Sequence, residues 1–152
     1  MLSAATIIAE CLEDNNFGKI GENIFVSNFT ELTPDNVIVA VDYGSFAEDS
    51  PSLGYTYPLV QIFVRSVRGG YQQCWDLTRR IGLYLNGLSV KKGDTRFIYV
   101  FVNEGPTDIG YDDTNRPQCS LTVRIMRTSC YHRLQKESFN LSFAVGVLRI
   151  KR

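Results

Sequence analysis

Residues 58–88, PLVQIFVRSVRGGYQQCWDLTRRIGLYLNGL, decide how this chain is read. The run opens by strict alternation. Val60, Ile62 and Val64 fall on one side of an extended segment, and Gln61, Phe63 and Arg65 on the other. That is the period of a strand with one buried face. Arg68-Gly69-Gly70 breaks it. Then Cys74, Leu77, Thr78, Ile81, Tyr84, Leu85 and Leu88 recur every three or four residues, the apolar stripe of an amphipathic helix. Gly87 reads as its stop signal. Gly82 lies inside the helix and off the stripe, where glycine costs about 1 kcal/mol against alanine. It either admits a close neighbour or has no role. Arg79 and Arg80 read as part of a solvated outer face.

Downstream, residues 95–104 (TRFIYVFVNE) are apolar on both faces: Phe97, Tyr99 and Phe101 against Ile98, Val100 and Val102. This predicts a central strand covered on both sides, by helices on one and by a neighbouring subunit on the other. Residues 104–118 (EGPTDIGYDDTNRPQ) read as a long loop. Leu121, Val123 and Ile125 alternate with Thr122, Arg124 and Met126, as a half-exposed strand would. In residues 139–150, Phe139, Leu141, Phe143, Val145 and Val147 share a face. That predicts a C-terminal strand, paired in its own sheet or on a neighbour's edge.

Upstream, Ser3 is placed to cap a helix over residues 4–14, with Ala4, Ile7, Ile8, Cys11 and Leu12 forming its stripe. Glu10, Glu13 and Asp14 oppose the helix dipole, so the end of this helix is expected to fray. Residues 15–23 read as a turn, and IFVSNF as a short strand or extended link. NVIVAVDY, residues 36–43, reads as a strand because it is rich in β-branched residues. Residues 44–58 (GSFAEDSPSLGYTYP) form a second long loop, whose Tyr55 and Tyr57 suit an interface.

The 152 residues, 44% hydrophobic and 21% charged, fit one globular domain. No apolar run approaches the 18 or so residues of a membrane span, and the N-terminus lacks the basic start of a signal or transit peptide. Cys11, Cys74, Cys119 and Cys130 contain no C-x-x-C pair, and His132 is the one histidine. The pattern disfavours zinc and suits reduced, mostly buried thiols. Formal net charge is zero, yet residues 1–60 carry nine carboxylates against Lys19 alone, and residues 116–152 carry eight Lys and Arg against Glu137 alone. The two ends attract each other either within one subunit or between subunits.

The sequence carries no recognisable catalytic constellation. No P-loop, dinucleotide fingerprint or nucleophile elbow occurs. Cys130 and His132 could meet on a strand but lack a third group. Asp112 and Asp113 are the tight carboxylate pair. Adjacent loop residues rarely converge on one substrate, so turn or interface chemistry is the preferred reading. The Asn28 and Asn140 sequons read as chance matches. The basic C-terminal third is too sparse for a sequence-specific nucleic-acid reader, though it is compatible with a lumen through which DNA passes. The residues therefore predict a small α+β domain that binds partners, with no catalytic residue, metal or cofactor.

Three pieces in order carry a resemblance: the VQIFVR strand, the helix opening on Tyr71, and the IGYDDTNRP segment before the next strand. Together, over residues 58–127, they resemble the tail terminator and minor capsid proteins of long-tailed bacteriophages. The resemblance implies a twisted mixed sheet, mainly antiparallel, with two helices packed on one face. The domain would span residues 1–152, with 130–152 as a C-terminal strand extension. It also implies a hexameric ring that caps the tail tube, stops its growth and meets head-completion or neck proteins, while DNA passes through the lumen without sequence specificity. The expected location is the head-proximal end of the virion tail, after assembly in host cytoplasm. Tyr55, Tyr57, Asp112, Asp113 and Arg116 are the expected interface residues, the last three through ion pairs between subunits. A head–tail connector subunit is the first alternative and a nucleic-acid-binding module the second.

Overall fold

The computed structural model describes residues 2–28, 34–45 and 55–128. In chain order these form α1 (Ala4–Asp14), β1 (Ile24–Val26), β2 (Val37–Ser45), β3 (Tyr55–Thr56), β4 (Pro58–Arg65), α2 (Tyr71–Leu85), β5 (Val90–Lys92), β6 (Thr95–Tyr111) and β7 (Pro117–Thr128). The strands make one sheet, ordered β1-β2-β4-β7-β6-β5, with β3 pairing β7 beyond β4. β1 runs parallel to β2, and every other pairing is antiparallel. The architecture is α+β, as the sequence predicts.

Both helices lie on one face. The alternation in β4 sends Val60, Ile62 and Val64 inward, opposite Val123, Leu121 and Cys119 of β7. All six are buried in a single core with Ile7, Ile8 and Leu12 of α1 and Cys74, Ile81 and Leu85 of α2. Each fully buried aliphatic side chain of this kind contributes roughly 1.5–3 kcal/mol. The helices also touch each other: the Tyr84 hydroxyl donates to the Cys11 carbonyl at 3.2 Å, and Phe17 and Tyr84 rings lie 5.6 Å apart.

The start of α1 is capped twice. Ser3 Oγ accepts from Thr6 N–H at 3.2 Å, and Asp42 Oδ1, on β2, accepts from Ala5 N–H at 3.0 Å. Its other end does not fray as expected. Phe17 N–H donates to Leu12 at 3.0 Å, Glu13 accepts from Ile20 N–H at 2.7 Å, and Asp14 is bound by Lys92 of β5. Tertiary partners outweigh the unfavourable dipole term of about 0.3–1 kcal/mol. α2 stops at Leu85, and Gly87 just beyond it takes a φ of +83°, which suits glycine. Gly87 N–H then donates to Val100 of β6 at 2.7 Å.

Two sequence expectations are corrected. Residues 104–111 belong to β6, and with β7 they form a long hairpin closed by a turn at 112–116. The Gly-Pro pair at 105–106 and Gly110 look like loop signals, yet they sit at register shifts between Glu104 and Thr107 and between Asp108 and Gly110. Bulges absorb such residues without ending a strand. The central strands are β4 and β7, while β6 is flanked outside only by short β5. A shift between Phe97 and Tyr99 turns both Phe97 and Val100 into the core. It leaves Tyr99 37% and Phe101 47% exposed. β7 is correspondingly more covered than its alternation predicts, with Ser120 and Thr122 buried beside the apolar set. The expected C-terminal strand, Cys130 and His132 lie outside the described residues.

Candidate assembly surfaces

The GYDDTNRP segment folds as a self-bonded turn at the hairpin tip. Asp112 N–H donates to Arg116 at 3.0 Å, and Asn115 N–H to Asp112 at 2.9 Å. Asn115 takes a left-handed φ of 62°, which asparagine tolerates. Asp112 Oδ1 accepts from Thr114 N–H at 3.1 Å, Thr114 Oγ1 at 3.0 Å and Arg116 N–H at 2.8 Å. Its Oδ2 accepts from Arg116 Nε at 2.8 Å. Burial acts to raise this carboxyl's pKa, but the bonds from Arg116 and Thr114 outweigh it and hold the group at about 2.

This turn is clamped to the body of the subunit. Arg65, at the end of β4 and only 4% exposed, lies 3.7 Å from Asp112 Oδ2. It also donates to the Pro34 carbonyl at 2.9 Å. Burial, then the charge of Arg116, lowers the Arg65 pKa, while Asp112 and Asp35 oppose this. Arg116 reaches Asp35 at 3.1 Å, and Arg68 Nε donates to the Thr114 carbonyl at 2.6 Å. An open depression of about 490 Å³ lies here, lined by Asp35, Val67, Arg68, Thr114 and Arg116. Asp112 and Arg116 are thus engaged with each other and with Asp35 and Arg65 inside the chain. Asp113 is exposed. The pair of adjacent aspartates does not converge: one holds the turn and the other faces outward.

Tyr55 and Tyr57 sit elsewhere. Tyr55 pairs with Thr128 at the far end of β7, and both rings are half-buried. The Arg124 guanidinium lies 5.2 Å from the Tyr57 ring centroid, a cation–π contact. Eleven strand steps along β7, about 35 Å at roughly 3.3 Å each, separate Thr128 from Pro117 beside the tip. The structure therefore divides the five expected residues into two groups at opposite ends of the sheet.

Sequence reasoning missed the exposure of Ile109 and Tyr111, whereas Tyr99 and Phe101 lie on the strand for which it assigned one face to a neighbouring subunit. The Tyr99 and Phe101 rings lie tilted against each other with centroids 4.1 Å apart, and Ile109 and Tyr111 are exposed on the hairpin arm. Their β-strand alternation carried no sign of exposure, because the bulges that turn them outward are set by pairing with β7.

Chemical reactivity is low at the described thiols. Burial pushes Cys11 up to about 11 and Cys119 up to about 12, so both are protonated at neutral pH. Among the described residues no group of three or more His, Cys, Asp or Glu could hold a metal ion. No helix among them is long and apolar enough to cross a membrane.

The fold is an α+β domain whose exposed side chains include Asp113 at the clamped hairpin tip and the aromatic residues of β6. The chain belongs to a bacteriophage tail terminator family, whose model matches residues 11–128. It is accordingly a structural protein of the phage tail. A search of curated proteins finds no match. The matched span includes the clamped turn and ends at the last residue of β7.

Proposed function

We propose that this protein forms a homo-oligomeric ring, a hexamer, that caps the tail tube and stops its polymerisation. The ring presents the joining surface for a head-completion or neck protein at the head-proximal end, and DNA passes through its lumen without sequence specificity. Family membership over residues 11–128 carries this reading. The surfaces support it: a head-to-tail contact joins two different patches and closes when the rotation allows, and the tip turn and the Tyr55–Tyr57 end are two such patches.

In this reading Asp113, Tyr55 and Tyr57 meet neighbouring subunits. Asp112 and Arg116 shape and stiffen the turn that presents Asp113, and their outward edges join the ion pairs between subunits. Function is binding alone, without a catalytic step. Purified protein imaged by negative stain, alone and with tail tubes, tests this: rings seated on tube ends are expected. A protein that stays monomeric by native mass and ignores tubes overturns it. Asp113→Lys is expected to weaken ring formation while leaving the melting temperature unchanged.

A further inference from the structure

Among the described residues, the outer edge of the hairpin arm is covered only in part. β5 covers β6 only from Thr95 to Phe97. The end of α2 adds two bonds, Gly87 N–H to Val100 at 2.7 Å and Val102 N–H to Asn86 Oδ1 at 3.1 Å. Beyond Val102, no described strand lies on that edge. An open edge is a template for an added strand. Pro106 has no N–H to offer, and the Gly110 N–H is already taken by Asp108 Oδ1 at 2.8 Å, so the backbone groups left for pairing on residues 107–111 are those of Thr107 to Ile109 and of Tyr111. Apolar surface flanks it: Tyr71, Ile109 and Tyr111 are 38%, 42% and 58% exposed, and Tyr71 stacks on Trp75 at 6.4 Å. Desolvation, then the Asp108 carboxylate, raises the Tyr71 pKa. Glu104, Asp108 and Asp113, all exposed, make the arm acidic.

The chain carries a segment of matching character. Residues 139–150 place Phe139, Leu141, Phe143, Val145 and Val147 at alternate positions, with Arg133 and Lys136 before them and Arg149, Lys151 and Arg152 at the end. β7 stops at Thr128, paired with Tyr55 and Arg96, far from the tip. The ten residues 129–138 span at most about 33 Å, enough to reach this edge on the same copy or on a neighbour, and the closed ring proposed above selects the neighbour.

We propose that residues 139–150 of one copy add as a strand to the 107–111 edge of β6 in a second copy, covering Ile109, Tyr111 and Tyr71 and pairing basic flanks with the acidic arm. Donor and acceptor are different surfaces, so each subunit gives to one neighbour and receives from the other, as a closed ring requires. This inference rests on the ring reading above and names its contact.

The test uses the full chain. Two proteins are made, each with Cys130→Ser: one carries Thr107→Cys and the other Ser142→Cys. The remaining native thiols, Cys11, Cys74 and Cys119, are buried. Mixing the two under mild oxidation is expected to give a disulfide-linked heterodimer that neither gives alone. A chain carrying both substitutions that forms only an intrachain link places the strand on its own subunit and overturns the proposal. Absence of any link while native mass still shows rings overturns the strand contact and leaves the ring reading standing. A heterodimer without rings on tubes does the reverse. Phe143→Glu is expected to weaken association at least about tenfold with the melting temperature unchanged. A variant that assembles as wild type overturns the proposal.

Discussion

Asp112→Asn probes the clamp at the hairpin tip. The substitution keeps the size of the side chain and an oxygen for the Thr114 and Arg116 amides, but removes the charge that faces Arg65 and Arg116. Arg65 keeps its bond to the Pro34 carbonyl, and Arg116 keeps Asp35, so the loss falls below the 3–5 kcal/mol of a fully stranded buried charge. The depressed pKa gives an independent figure. A fall from 3.8 to about 2, at about 1.4 kcal/mol per unit, corresponds to about 2 kcal/mol. Because the folded-state pKa lies below the unfolded one, the folded state binds the proton less tightly. The contribution is therefore complete above about pH 4 and disappears as pH falls through about 2; about 1 kcal/mol remains at pH 3. Thermal melts followed by circular dichroism should place Asp112→Asn about 4–8 °C below wild type at pH 7, with the gap roughly halved at pH 3. Equal melting temperatures at pH 7, or a gap that does not shrink on acidification, would refute the clamp.

Three further outcomes are expected. Gly82→Ala should stabilise by about 0.5–1 kcal/mol in a denaturant titration, because an added Cβ meets only Val102 Cγ2 at 3.9 Å, an ordinary contact; a loss of stability would show the helix to be closer to β6 than described. Asp42→Ala should cost about 1 kcal/mol by removing the second cap of α1, measured the same way. Ellman's reagent at pH 8 should leave Cys11, Cys74 and Cys119 unmodified in the native protein and modify all three in guanidinium, since all are buried and burial raises each thiol pKa.

Helix α1, strand β4 and helix α2 were legible because each carries its own period. Ser3 with the stripe from Ala4 to Leu12, the Val60-Ile62-Val64 alternation, and the stripe from Cys74 to Leu85 with its Gly87 stop are local patterns that burial on one face enforces. Sheet order is not local. Nothing in TRFIYVFVNE distinguishes a strand covered by a neighbouring subunit from one whose aromatic side chains face outward, and the bulge at Phe97 to Tyr99 arises only when β6 meets β7. The 104–118 segment misled for the same reason: its glycines and Pro106 signal a loop by local chemistry, while a seventeen-residue β6 accommodates them as bulges along the ladder.

The candidate site divides the same way. By itself the sequence determined a small α+β domain and an Asp-Asp-Thr-Asn-Arg-Pro motif of turn chemistry, because residue type and spacing govern both. Only the tertiary structure decided what the motif does. It brings Arg65 from β4 and Asp35 from before β2 against the turn, so that Asp112 and Arg116 are bound within the subunit and Asp113 faces outward. Those partners lie 47 and 81 positions from Asp112 and Arg116 respectively, and no local pattern encodes a contact made by the packing of a sheet.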